Sequence, residues 1–473
     1  MEWVKSNKKI CASCIIFVLS FFLSILGLRD ISIIMLLCAS ILLIFIVKDI
    51  TGNFVNFSTL FCCFHVLYGL AGVISTAWLN QFSSTYGNKF TYCPYLVAYA
   101  LCSLFLLLGI VYSSKKNKCV NIDVNSNGKE KYFLLVAYVG FAITSIFEFI
   151  NFLRVGGFPT LFAGKAIYQA LADELILTLP SLYTFYVSLA SYCVYLCLSL
   201  SSGKKFDIKQ LIISLVLLLP YLFIILTLGR RGPLLAIFIF VIVMLFAVKP
   251  LTKIKTKHIA ILGTVYIILG LTFVLRGNIK LMFSDFPKFK EKMTINYVLK
   301  NLNPALSEFG CTYGNFNKFY VTGDYELLYG KSYVEGLVHV IPTYVYPGEK
   351  PKMITYEFRD KYFPKKSEIS SIASTGFSSI LETYWNFWYF GSIIYFFYGY
   401  ILIFFENKIK SKNYFCLLEY FSLLILTYSF HRSDFGHTTA EIILITAEVL
   451  FIYVFHDYVF MRNEKLQKLL NKI

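Results

Sequence analysis

Along the chain, apolar residues come in unbroken runs that repeatedly reach 17 to 23 residues, and the polar residues are gathered into the gaps between them. A helix rises about 1.5 Å per residue, so a run of this length crosses a hydrocarbon core of roughly 30 Å. Twelve such runs are predicted: Ile10–Leu28, Ile31–Val47, Val55–Ala77, Pro94–Tyr112, Tyr132–Ile150, Leu179–Leu200, Leu211–Leu228, Pro233–Val248, Ile259–Leu275, Thr383–Phe405, Tyr414–Phe430 and Thr439–Phe460. The pattern predicts an all-α polytopic membrane protein with about 12 transmembrane helices. It divides the chain into helices 1 to 9 within residues 1–275, one large outer loop at 276–382, and helices 10 to 12 with a tail at 383–473. The first run follows a basic start without a small-residue cleavage site and reads as a retained anchor.

Composition agrees: 57% of the 473 residues are hydrophobic and 15% charged, too little polar surface for several soluble domains. The net charge of +17 raises the question of nucleic acid, but its distribution answers against that reading. Of the 44 Lys and Arg, 23 fall in alternate turns and the two tails, and 7 in the short turns opposite. This asymmetry is the positive-inside pattern and predicts cytoplasmic termini. The outer loop carries 14 basic and 11 acidic residues, and long translocated loops are largely exempt from that rule. Most of the twelve cysteines lie inside runs, and no disulfide is expected between the outward Cys93 and Cys311.

Arginine is distributed differently from lysine. Seven of eight, Arg29, Arg154, Arg230, Arg231, Arg276, Arg359 and Arg432, are predicted to lie on the outer side. A guanidinium offers a planar fork of donors that suits bidentate contact with phosphate or carboxylate. In "GRRGP" at 229–233, two of them precede Pro233, a good first-turn residue, so free helix-start N–H groups lie beside two guanidiniums. "SFHRSDFGHTTAE" at 429–441 gathers His431, Arg432, Asp434 and His437 on the expected outer face, with His437 and Glu441 one helical turn apart. Glu382 stands at the head of the tenth run. His339 lies in a Tyr and Pro-rich stretch, with Tyr344 and Tyr346, that reads as irregular backbone held against another part of the protein. No P-loop, dinucleotide fingerprint, serine elbow or HExxH is present in the sequence.

Three segments resemble the Wzy-type oligosaccharide repeat-unit polymerases of bacterial O-antigen and capsule assembly: "GRRGPLL" at 229–235, "HVIPTYVYPGEKP" at 339–351 and "STGFSSILETYWNFWYFG" at 374–391. The resemblance covers roughly residues 150–460, and aromatics stand in "NFWYFG" where the family often has an Asn-Phe-Gly run. It implies transfer of a growing glycan from undecaprenyl diphosphate to the terminal sugar of a lipid-linked repeat unit, at the outer face of the membrane and without metal, cofactor or nucleotide. Under that reading Arg230, Arg231, Arg276 and Arg432 hold the donor diphosphate. Arg359, Arg154, Tyr344, Tyr346 and Asp434 bind substrate, and the base is one of His339, Glu382 and His437. A chain-length regulator and a flippase are expected as partners. An O-antigen ligase, or a lipid-linked oligosaccharide flippase or other transporter, is the alternative.

Overall fold

The computed structural model describes residues 2–79, 89–116, 130–163, 168, 171, 178–205, 207–228, 230–246, scattered positions between 256 and 274, 278–302, 309–323, 326–341, 345–364, 376–409, 414–460 and 462. Among these residues the regular structure is entirely helical. The first half of the chain forms α1 (Glu2–Ile25), α2 (Arg29–Thr51), α3 (Phe57–Trp78), α4 (Cys93–Lys116), α5 (Glu130–Arg154), α6 (Gly157–Ala163), α7 (Thr178–Ser201), α8 (Ile208–Leu228) and α9 (Arg231–Phe246). Local chemistry sets several ends. The Asn56 side chain accepts the Thr59 N–H at the start of α3, and Gly52 closes α2 in a left-handed conformation.

The expected outer loop also folds into short helices: α10 (Ile279–Ser284), α11 (Phe286–Lys292), α12 (Ile295–Leu302), α13 (Gly310–Thr322), α14 (Lys331–Val338) and α15 (Ile354–Tyr362). Part of the stretch expected to be irregular is therefore helical, since α14 occupies its beginning. The chain then forms α16 (Ser379–Phe387), a 3-10 segment (Trp388–Ile393), α17 (Ile394–Ile409), α18 (Tyr414–Ile425), a 3-10 turn (Ser429–His431) and α19 (Phe435–Val454).

Among the described residues, nine helical stretches are long and apolar enough to cross a membrane, and two shorter apolar helices, Gly232–Ile242 and Tyr414–Ile425, accompany them. The expected run at 259–275 lies almost wholly outside the described residues. The chain is thus a multi-pass membrane protein. Side chains of α8 such as Val216 and Leu219 stand exposed, as lipid-facing positions would.

Two of the expected runs are not simple spans. Thr383–Phe405 was predicted as one helix, but the chain reverses inside it: Trp388 takes a left-handed φ of 54°, and a Cβ on Gly391 would lie 2.1 Å from the Thr383 carbonyl oxygen. Across the same hairpin the Ser379 and Tyr395 hydroxyls meet at 2.7 Å. Hydropathy reports that these residues are apolar and is blind to the turn, so α16 is a short helix against which the 3-10 segment before α17 folds back. The second case is the run Tyr414–Phe430. Its helix ends at Ile425, and the following turn lies inside the bundle rather than on its outer end: His431 Nε2 is 2.9 Å from the Phe61 carbonyl, and its ring is 5.5 Å from that of His65, near the middle of α3. Broken helices are tolerated at such depth only where protein groups satisfy the exposed backbone and polar atoms. Here Ser429 donates to Glu441 and Asp434 caps α19.

The bundle packs α5 against α7 and α8, α1 against α2 and α4, α13 against α3, and α4 against α17. At the α4–α17 crossing the backbones touch. A Cβ on Gly109 would be 2.0 Å from the Phe396 oxygen, and one on Gly399 would be 2.3 Å from the Leu106 oxygen. Small residues are the usual means of such close approach between membrane helices. Gly109→Val and Gly399→Val should therefore each sharply reduce the monodisperse protein recovered in detergent, as read by fluorescence-detected size exclusion. A wild-type yield from both would contradict this packing.

Candidate active site

The polar cluster inside the bundle is organised from the start of α19. Asp434 is its N-cap: Oδ1 accepts the His437 backbone N–H at 2.7 Å, and both carboxylate oxygens stand 2.9 Å from His437 Nδ1. Oδ2 also accepts the Thr355 N–H at 3.2 Å and the Thr355 hydroxyl from α15. With Nδ1–H directed to Asp434, the lone pair of His437 is on Nε2. The side chain keeps 31% of its surface exposed.

Glu382 anchors the same assembly from α16. Its Oε1 accepts from the Ser332 hydroxyl at 2.8 Å and its Oε2 from the Phe435 N–H at 2.8 Å, so one buried carboxylate joins α14, α16 and the first turn of α19. Asn386 reinforces the joint by donating to Ser332 and accepting the Gly330 N–H. The backbones of α14 and α19 touch where Gly336 meets Gly436.

Around this core lie several of the arginines and lysines. The Arg359 guanidinium lies 5.2 Å from the Tyr356 ring centre and bonds Asp360, and the Tyr356 ring in turn stands edge-on to His437 at 5.6 Å. Arg432 Nε lies 3.5 Å from where a Cβ on Gly376 would stand, beside Cys311 of α13. Lys352, Glu335 and Asp434 line a narrow cleft between α14 and α19. His339 sits nearby at the end of α14. Partial burial, aided by the positive charge of Lys350, holds its imidazole below the ordinary value, and Lys350 also donates to its carbonyl.

The "GRRGP" junction joins the site from the other side. A Cβ on Gly232 would meet the Tyr428 hydroxyl at 2.5 Å, and Tyr428 precedes Ser429, which donates to Glu441 one turn below His437. Arg230 is committed elsewhere: it forms a buried ion pair with Glu148 of α5 at 3.0 Å and faces the Tyr168 ring at 5.8 Å. Arg231 begins α9, and its side chain, like Arg276 and Tyr344, lies outside the described residues. Arg154 is exposed at the end of α5, and Tyr346 is half-buried in the segment after α14. The structure thus brings together His437, Asp434, Glu382, Arg359, Arg432 and His339, and leaves Arg154 apart. Sequence reasoning missed Ser332, Thr355 and Tyr356, which carry no motif.

A family model, O-antigen polysaccharide polymerase Wzy, matches residues 10–463. The chain belongs to this family. Membership carries the general activity, polymerisation of O-antigen repeat units, and with it lipid-linked oligosaccharide substrates and a place in polysaccharide biosynthesis. No curated protein and no solved structure matches the chain. Within this Wzy-family chain the ends of α16 and α18 and the start of α19 meet inside the bundle around buried polar side chains.

The Arg230–Glu148 pair is 15% and 0% exposed, so removing either partner strands a buried charge. Arg230→Ala and Glu148→Ala should each cost about 3–5 kcal/mol and lower the melting temperature in detergent by intrinsic fluorescence. The double replacement Arg230→Gln with Glu148→Gln should melt above either single variant. Equal melting of the singles and wild type would remove the pair's structural role.

Proposed function

We propose that this Wzy-family chain elongates an O-antigen or capsular glycan by moving it from undecaprenyl diphosphate to the terminal sugar of a lipid-linked repeat unit. The reaction takes place toward the outer face of the bacterial cytoplasmic membrane, with both termini cytoplasmic and with no metal or nucleotide. The Asp434–His437 pair at the start of α19 carries this reading. His437 Nε2 takes the proton from the acceptor hydroxyl as that oxygen bonds to the anomeric carbon of the donor. The bond from this carbon to the diphosphate oxygen breaks, and undecaprenyl diphosphate departs with the electron pair. Asp434 fixes the imidazole's orientation and stabilises its protonated form, a division of labour familiar from other general-base sites.

The departing diphosphate gathers negative charge, and fixed guanidiniums that meet it lower the barrier. Arg432, Arg231 and Arg276 fill that role, while Arg230, neutralised by Glu148, holds the α8–α9 junction in place. Glu382 is a positioning residue, since both its oxygens are engaged by Ser332 and Phe435. Arg359, Tyr346 and Tyr344 contact sugar, and Arg154 meets the lipid-linked substrate at the rim. Chain length is set with a partner regulator, and repeat units arrive through a flippase.

Surface glycan from cells carrying each variant tests this on a gel. His437→Ala and Asp434→Asn should reduce polymer about 10²–10⁴-fold, leaving single repeats on the surface, while the protein remains in the membrane at wild-type level. Arg231→Lys keeps the charge, loses the fork and should shorten or abolish the ladder. A full ladder in His437→Ala would overturn the base assignment. Polymer stranded on its carrier would point to a ligase instead.

A further inference from the structure

A second outer feature is separate from the cluster around His437. Where α1 ends and α2 and α4 begin, a cavity of about 620 Å³ opens, lined by Ser24, Arg29, Asp30, Phe90, Tyr92 and Leu96 among others. That volume falls within the roughly 300–1,000 Å³ of ordinary small-ligand sites. Its polar wall is a matched pair: Arg29 donates through Nε and Nη2 to the two oxygens of Asp30, at 2.9 and 3.1 Å, and Trp78 Nε1 adds a bond to Asp30 at 3.0 Å. Its aromatic wall is Tyr92, whose ring lies 5.0 Å below the Arg29 guanidinium.

We propose that this cavity is a glycan-binding subsite, holding sugar residues of the growing chain or of the incoming repeat unit away from the reacting bond. This rests on the polymerase reading above. Three observations favour a neutral sugar. The wall is charge-balanced, so an anion drawn to Arg29 meets the Asp30 carboxylate as well. The pair offers donors and acceptors side by side, the combination that vicinal hydroxyls recognise. The Phe90 ring and the edge of Tyr92, whose faces are taken by Arg29 and Tyr313, supply apolar surface for the C–H faces of a pyranose.

The cavity is also coupled to the reaction site through packed groups. Tyr92 stacks on Tyr313 of α13, with ring centres 5.8 Å apart and planes 13° apart. The segment before α4 is tied to α13, since Asn317 accepts the Thr91 N–H at 2.8 Å and donates to the Lys89 carbonyl at 2.8 Å. Cys311, two residues before Tyr313, faces Gly376, which Arg432 also approaches. A glycan anchored on Tyr92 thus lies one helix away from the arginine assigned to the donor diphosphate.

The test uses the full-length protein in nanodiscs and, as probe, the oligosaccharide released by mild acid from the host's own lipid-linked repeat units. Saturation-transfer NMR reads binding, and the surface glycan ladder reads length. Asp30→Ala, Tyr92→Ala and the cavity-filling Ile31→Trp, each checked for wild-type melting, should weaken binding at least about tenfold. They should also shift the ladder to shorter lengths while the two-repeat product persists. Unchanged binding and length, or loss only of a copurifying phospholipid, would overturn the subsite. Loss of every product including the two-repeat species would overturn it too, by placing the cavity in the reaction machinery. A wild-type protein that binds the oligosaccharide but forms no product would instead contradict the polymerase mechanism and leave the subsite standing.

Discussion

Much of the arrangement depends on two carboxylates that are buried in the bundle and fully engaged there. Glu382 and Asp434 accept from opposite sides of the same helix start: Glu382 takes the Phe435 N–H, and Asp434 takes the His437 N–H and its imidazole. Their remaining bonds reach out to Ser332 and Thr355, on two different helices of the segment between α9 and α16. Both carboxylates are buried away from water, so each bond matters and each fixes a helix. Loop, re-entrant helix and last span are thereby held in register around one imidazole.

This explains why the site is built from broken helices. A continuous α18 would have carried His431 and Arg432 to the outer end of the bundle. Its termination at Ile425 instead leaves the turn inside the bundle, with His431 against Phe61 and His65. The α16–α17 hairpin similarly keeps Glu382 beside Phe435 rather than part-way along a straight span. In both places apolar sequence brings the chain into the membrane, and a few polar residues decide where it stops. Arg230 and Glu148 show the same economy on the other flank, where one ion pair joins α5 to the junction before α9.

Much of this was legible in the sequence, and the rest for definable reasons was not. Long apolar runs predict most of the helices well because hydropathy is a local property. His431, Arg432, Asp434 and His437 are gathered in seven residues of the sequence, and their chain order alone puts Asp434 one turn before His437. Depth was not legible, because a turn at mid-bundle and a turn at the surface have the same composition when the former is satisfied by distant partners. Reversal at Trp388 was hidden for a related reason, since its signature is backbone geometry within a run of aromatics. Ser332, Thr355 and Glu148 act through contacts with residues 33 or more positions away, which no local pattern reveals. Arginine placement did not reveal that Arg230 pairs with Glu148.

The most direct test of the central claim is a defined assay with the purified protein in nanodiscs and lipid-linked repeat units as the sole substrate, without nucleotide sugar. The account predicts that the wild type lengthens the lipid-linked glycan, that His437→Ala and Asp434→Asn lose this activity while still folded, and that Glu382→Gln retains part of it. Lengthening at the wild-type rate by folded His437→Ala, or no lengthening by the wild type, would contradict it.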